Sequence, residues 1–225
     1  MVFRAVLLDW RGTLVTTLTE EDWARQALLR LGRPTWPDLV DHVAARLRTA
    51  EAALDAPGTD TDAGVHRRTY LQVLSAAGLD DDLVQALYAV ESDPGCNTFA
   101  VDVADTLRLL NGAGLRIAVV SDVHVDIRPA FEAAGLAGLV DVFTLSFEQG
   151  VQKPDPAMFT HTLSALGVAA GEALMVGDRS RPDGAAVESG ITTLLVPPLT
   201  GPEDRRLHLV LALCGVASGH ISHAR

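Results

Sequence analysis

The sequence predicts an α/β fold, a Rossmann-like parallel sheet core with helices on both faces plus a helical cap domain. Three observations predict it. Short continuous apolar runs, such as Arg4–Asp9 (RAVLLD) and Ala173–Val176 (ALMV), alternate with segments of helical periodicity. Three of these runs end in polar residues, at Asp9, at Ser121–Asp122 and at Asp178. A long block between the first run and the rest is helical in texture, which makes it an insertion.

The elements follow in order. Arg4–Asp9 is apolar enough for a strand buried on both faces, and Gly12 with Thr13 ends it in a tight turn. From about Glu20 to Glu91 the chain is rich in Ala, Leu, Arg and Glu. Trp23, Ala27, Leu28 and Leu31 recur at helical spacing, as do Val65, Thr69, Val73 and Leu74. Gly32, Pro34, Gly58 and Gly78 divide the block into roughly four helices, and Thr19 with Asp22 resembles an N-terminal capping box. After Pro94 and Gly95, helix and strand alternate: a helix over Val103–Ala113 ended by Gly114, then a strand over Arg116–Val120. A helix at Arg128–Ala134, a strand at Val140–Leu145 and a helix at Pro156–Leu166 come next, the proline suiting a first turn. Ala173–Val176, a helix at Asp183–Ser189, a strand at Thr193–Val196 and a last helix at Pro202–Leu213 complete the pattern. Such alternation implies right-handed crossovers, with ligands bound at the carboxyl ends of the strands. The expected division is a core over 1–17 and 96–225 and a cap over 18–95.

Bulk properties narrow the function. Of the 225 residues, 48% are apolar and 21% charged, the balance of a globular protein. A net charge of −11 repels nucleic acid and anionic lipid, so neither is an expected partner. A phosphorylated ligand would need locally gathered Lys or Arg. Cys96 and Cys214 can pair, but nothing requires it, and two thiols in a reducing compartment are expected. The N-terminal apolar run is too short for a signal or a membrane span and is broken by Asp9, so a cytoplasmic location is expected.

The strand ends carry the chemistry. A carboxylate such as Asp9 can attack an electrophilic phosphorus or carbon and form a covalent intermediate. Asp9 and Asp178 meeting at one place would repel each other unless a cation lay between them, and Mg2+ suits such an oxygen-rich site. Lys153 and the Ser121 hydroxyl would hold the anionic oxygens of the transferred group. Backbone N–H groups after Asp9, over Trp10–Thr13, could serve as further anion donors.

These residues resemble the four motifs of the haloacid dehalogenase superfamily of hydrolases. Asp9, Trp10, Arg11, Gly12, Thr13 and Leu14 match the first motif, D-x-D-G-T-L, at all but one defined position. Ser121 in VVSD matches the second, and Lys153 in QKPDPAMF the third. Gly177, Asp178, Asp183, Gly184 and Ala185 match the fourth. The resemblance covers nearly the whole chain, and the insertion resembles the α-helical cap of one branch of the family. It implies Asp9, Ser121 and Lys153 as catalytic residues and Asp9, Asp178, Asp183 and the backbone carbonyl of Arg11 as Mg2+ ligands. It further implies a small phosphorylated substrate bound near Trp10, Arg11, Gly12, Thr13 and Asp122.

One departure bears on all of this. The family's phosphatases carry a second Asp two residues after the nucleophile, as general acid and then general base, and here that position is Arg11. A guanidinium cannot exchange protons at neutral pH. Three functions therefore stand beside each other: a Mg2+-dependent phosphohydrolase, a metal-free carbon–halogen hydrolase, and a weak or inactive relative that binds a ligand or partner. Asp178 and Asp183 favour the first. His124 could reach the site as a proton carrier, Asp122 could be a turn former only, and Arg179 and Arg181 could bind substrate or be solvated. Trp10, beside Asp9, and Trp23 could line the pocket, and Trp23 could equally pack in the core. His220 and His223, though at helical spacing, lack a third ligand.

Overall fold

The computed structural model describes residues 2–217; His220 and His223 lie outside them. Five parallel strands form one sheet in the order β3-β2-β1-β4-β5. They are β1 (Ala5–Leu8), β2 (Arg116–Ser121), β3 (Val142–Leu145), β4 (Ala173–Gly177) and β5 (Thr192–Leu195). The expected strands are all present, within two residues of their expected bounds. After β1 the chain builds one side of the sheet through β2 and β3, then returns to the other side of β1 for β4 and β5. The strand order thus reverses at β1, and the crevice at its carboxyl end is where an open α/β sheet binds ligands.

Side-chain alternation in β1 shows why the strand sits at the centre. Val6 and Leu8 join one apolar cluster while Ala5 and Leu7 join another on the opposite face, and all four are fully buried. The first face is covered by α5 (Val103–Gly112), α6 (Arg128–Ala133) and α9 (His208–Leu213), through residues such as Leu107, Phe131 and Val210. After β3 comes the single turn α7 (Ser146–Gln149), and the second face is covered chiefly by α8 (Pro156–Leu166) through Met158, Phe159 and Leu163. Full burial of a Val or Leu side chain contributes about 1.5–3 kcal/mol, so a strand without polar residues is the one that both layers can share.

Four helices lie between β1 and α5: α1 (Glu20–Arg30), α2 (Pro37–Leu54), α3 (Ala63–Ala76) and α4 (Asp81–Glu91). Each begins where the sequence supplies a start signal. Thr19, Asp62 and Asp80 accept the backbone N–H three residues on, and Pro37 occupies the first turn of α2. The four pack around their own cluster, which includes Leu28, Val43, Leu47, Leu74 and Leu87. Two chain segments join this block to the sheet side by side, tied by Thr16 N–H to Thr98 O (2.9 Å) and Ala100 N–H to Leu14 O (3.0 Å).

Three expectations need correction. The last helix covers only His208–Leu213, because residues before it make other bonds. Asp204 accepts from the Thr200 and Gly201 backbone N–H groups, and Asp102 accepts from those of Arg206 and Leu207, in place of a helical ladder. The segment expected as a helix at Asp183–Ser189 is a 3-10 helix over Gly184–Ser189. In α3 the fully buried residues are His66 and Leu74, so of the expected stripe of Val65, Thr69, Val73 and Leu74 only Leu74 is fully buried, the other three being half-buried like Tyr70. Both cysteines are free thiols, and no helix among the described residues is long and apolar enough to cross a membrane.

Candidate active site

Asp9 emerges from the carboxyl end of β1 into a nearly closed position, 6% exposed. Lys153, brought up by the loop before α8, donates to Asp9 Oδ1 at 2.6 Å and to Asp183 Oδ1 at 2.5 Å. Asp183 is fully buried and also accepts the Arg179 backbone N–H at 3.0 Å. Asp178 follows β4, the strand beside β1, and shares with Asp9 the Thr13 hydroxyl, 3.3 Å from Asp178 Oδ1 and 3.4 Å from Asp9 Oδ2. Carboxylate oxygens of Asp9, Asp178 and Asp183 all lie within 4.8 Å of one another. Gly12 makes this approach possible: its φ is +76°, and a Cβ there would overlap the Asp178 carboxylate. A Cβ at Gly177 would likewise overlap Asp183.

The electrostatics follow from this crowding. Burial, with Asp183 and Asp178 adding to it and Lys153 opposing, pushes Asp9 up to about 7. Burial acts to lower Lys153, but the carboxylates of Asp9, Asp183 and Asp122 outweigh it, so its ammonium is held charged. Three carboxylates and one ammonium leave a formal charge of −2 in an oxygen-only donor set, which fits a divalent, oxygen-seeking cation.

A cavity of about 400 Å3 opens above these groups, between the strand ends and the helical block. Asp9, Arg11, Ser121, Asp122, Asp178 and Arg179 line its floor, and the helical block supplies Trp23, Leu47, Leu54, Asp60, Tyr70 and Glu91. Ser121 ends β2 within this floor, as expected. Asp122 is nearly buried, and its Oδ1 accepts the Lys153 backbone N–H at 2.8 Å, so it shapes the lysine loop. Trp23 lines the cavity and anchors its ring N–H on Leu87 O at 2.8 Å. Trp10 does not reach the cavity. It is 1% exposed and packs between Phe99 and Phe131, because the residue after a strand end faces the layer opposite its predecessor.

Arg11 does line the cavity, but its guanidinium is taken. It pairs with the Glu91 carboxylate, donates to Glu91 O at 2.9 Å and approaches Asn97 Oδ1 at 3.4 Å. Burial acts to lower its pKa, and Glu91 raises it overall. Beside it, His66 of α3 stacks on His124 of the sheet side, with ring centroids 3.3 Å apart and planes 8° from parallel. Both rings are neutral: burial and Arg11 push His124 down to about 3, and burial, His124 and Arg11 push His66 to about 2. His124 lines the cavity, and its Nε2 lies 3.0 Å from the Ser92 hydroxyl. Asp60 Oδ1 sits near both, at 3.6 Å from His66 Nε2 and 3.8 Å from His124 Nδ1. Ligand atoms of Asp60, His66 and His124 all lie within 4.8 Å of one another, and both ring nitrogens of His66 are buried without a hydrogen-bond partner.

Sequence reading missed Glu91, Asn97, Asp60 and Arg206. Arg206 is nearly buried and donates to Gly12 O at 3.0 Å and Thr13 O at 2.7 Å, fixing the turn after Asp9 from 194 and 193 residues away. The Glu91 position offered one signal, as a carboxylate at the end of a helix, where the dipole disfavours it.

A family model described as haloacid dehalogenase-like hydrolase matches residues 3–189. A ribulose-1,5-bisphosphate 5-phosphatase from Halopiger xanaduensis is 37% identical over 99 residues, 43% of this chain and 41% of that one. A phosphoserine phosphatase from Thermus thermophilus is 38% identical over 94 residues, 40% of this chain and 37% of that one. The matched segment thus spans about two fifths of the length of these curated relatives. Among solved structures, the L-2-haloacid dehalogenase from Xanthobacter autotrophicus superposes with a TM-score of 0.62 at 24% identity, covering 95% of this chain and 83% of that one. At that identity the likeness concerns the fold.

Proposed function

Because this chain belongs to the haloacid dehalogenase-like hydrolases, we propose that it is a Mg2+-dependent phosphohydrolase of small phosphorylated metabolites, with Asp9 as nucleophile and residues 18–95 as its cap. The observation that carries this reading is the convergence of Asp9, Asp178 and Asp183 around Lys153. A carbon–halogen hydrolase working without metal has no use for three gathered carboxylates, whereas a phosphoryl group brings its own negative charge and needs a cation to approach them. Both sequence relatives are named phosphatases, which supports the same choice.

Asp9, Asp178, Asp183 and the Arg11 backbone carbonyl would hold Mg2+, which when bound neutralises charge on the transferring phosphoryl group. The chain's own residues supply the rest. Asp9 attacks phosphorus in line with the leaving oxygen and becomes an acyl phosphate. The Ser121 hydroxyl, the Lys153 ammonium and backbone N–H groups over Trp10–Thr13 hold the phosphoryl oxygens. Trp10 contributes there through its backbone alone. The cavity of about 400 Å3 suits a small metabolite.

The test is hydrolysis of p-nitrophenyl phosphate by wild type and Asp9→Asn, with Mg2+ and with chelator, beside halide release from a 2-haloacid. Turnover should require Mg2+ and vanish in Asp9→Asn. Metal-independent halide release would replace this reading with carbon–halogen hydrolysis, and silence with both substrates would leave a ligand-binding role.

A further inference from the structure

Resting on the phosphohydrolase reading, we propose that Asp60, delivered from the helical block, is the general acid and then the general base of this site, in the role that Arg11 cannot fill. Asp60 lines the same cavity as Asp9, Ser121 and Asp178, on the opposite, helical-block side. In-line attack by Asp9 expels the leaving oxygen away from β1, toward that side.

The turn carrying Asp60 is fixed to the sheet side at the site itself. Its backbone N–H donates to Gln152 Oε1 at 3.3 Å, as does that of Gly58 at 2.9 Å, and Gln152 precedes Lys153. Its carbonyl accepts the Ser146 hydroxyl at 2.7 Å, and that hydroxyl also receives the Val123 N–H at 2.8 Å, two residues beyond Ser121. Asp60 is therefore held against the two loops that present Ser121 and Lys153, although it belongs to the helical block.

Its carboxyl is left free to exchange a proton. The nearest ring nitrogens stand beyond hydrogen-bond distance, at 3.6 and 3.8 Å, and the Asp60 side chain keeps 26% exposure. Burial pushes it up to about 6, Asp122 and Glu91 adding to the shift and Arg11 and Arg179 opposing it. The remaining neighbours, His66 and His124, are neutral, so they neither strip its proton nor fix its charge. A carboxyl in that range is suited to general acid and base work near neutral pH.

The step balances. The Asp9 oxygen forms its bond to phosphorus as the phosphorus–oxygen bond to the leaving group breaks, and the departing oxygen takes the Asp60 proton. A water entering where the leaving group stood then loses a proton to the Asp60 carboxylate and attacks phosphorus. Phosphate departs, and Asp9 and protonated Asp60 are restored.

Leaving-group dependence tests this. With Mg2+, kcat/KM is measured for p-nitrophenyl phosphate, whose leaving group needs no proton, and for phenyl phosphate, whose leaving group does. Asp60→Asn, which keeps shape and fold, should lower kcat/KM for phenyl phosphate by about 10²-fold or more and for p-nitrophenyl phosphate by only a few-fold. The wild-type phenyl phosphate profile should fall as pH rises through about 6, and that limb should vanish in Asp60→Asn and return in Asp60→Glu. Equal losses with both esters, or no loss with either, would overturn the proposal. Wild type inert toward both esters would instead overturn the phosphohydrolase reading, and this inference with it.

Discussion

Single residues set the limits of the site. Gly12 is the sharpest case, since its positive φ and the space a Cβ would fill are both used to bring Asp178 against Asp9. Gly12→Ala should fold with the Asp178 carboxylate displaced, and calorimetric titration should show Mg2+ affinity reduced at least tenfold or so, as when metal-site support is lost. Arg11 argues differently, through stability. Its pairing with Glu91 is mostly shielded from solvent, with side chains 28% and 12% exposed, so Arg11→Asp leaves Glu91 facing a second carboxylate. A cost of about 3 kcal/mol in chemical denaturation is expected, at the low end for a broken buried pair, and Glu91→Gln in the same chain should restore most of it. Neither partner was legible from sequence as half of a pair, because 80 residues separate them and nothing local marks Glu91 as the acceptor.

At the scale of elements, what could be read was what is local. A strand buried on both faces has to be apolar throughout, so β1, β2 and β4 and the polar residues ending them stood out, and with them Asp9, Ser121 and Asp178. Likewise Pro156 and Gly167 bound α8 by backbone rules that hold in any context. What was misread depends on partners. The α3 stripe looked apolar at Val65, Thr69, Val73 and Leu74, and Leu74 is buried, yet His66 is buried beside it, since a neutral imidazole stacked between Tyr70 and His124 packs as an aromatic ring does. This element supports a pH prediction. The unfolded chain takes up protons at each histidine near its ordinary value of 6.5, whereas the folded chain does so only at about 2 for His66 and about 3 for His124. Stability from these two groups is fully present above about 6.5 and is lost as pH falls below it, by up to about 1.4 kcal/mol per pH unit for each. Denaturation midpoints between pH 7 and 4.5 should fall less steeply in His66→Phe or His124→Phe than in wild type.

For the whole molecule, a net charge of −11 looks unsuited to an anionic substrate until the positions of the charges are considered. Lys153 sits beneath Asp9, and Arg11 and Arg179 are drawn into the cavity wall, each answered by carboxylates. A divalent cation then supplies the positive charge that the chain itself does not. The helical block closes over this centre and, on our reading, brings the proton-transfer group with it, so a change at one position of the first motif is met by a residue of a different element. The most direct test of the central claim, that Asp9 takes the phosphoryl group, is mass spectrometry of protein acid-quenched during Mg2+-dependent turnover of p-nitrophenyl phosphate. The account predicts one phosphoryl group on the peptide carrying Asp9, in greater amount in Asp60→Asn, where the water step lacks its base. Release of p-nitrophenol with no phosphoryl group on that peptide, or with the group on another residue, would contradict it.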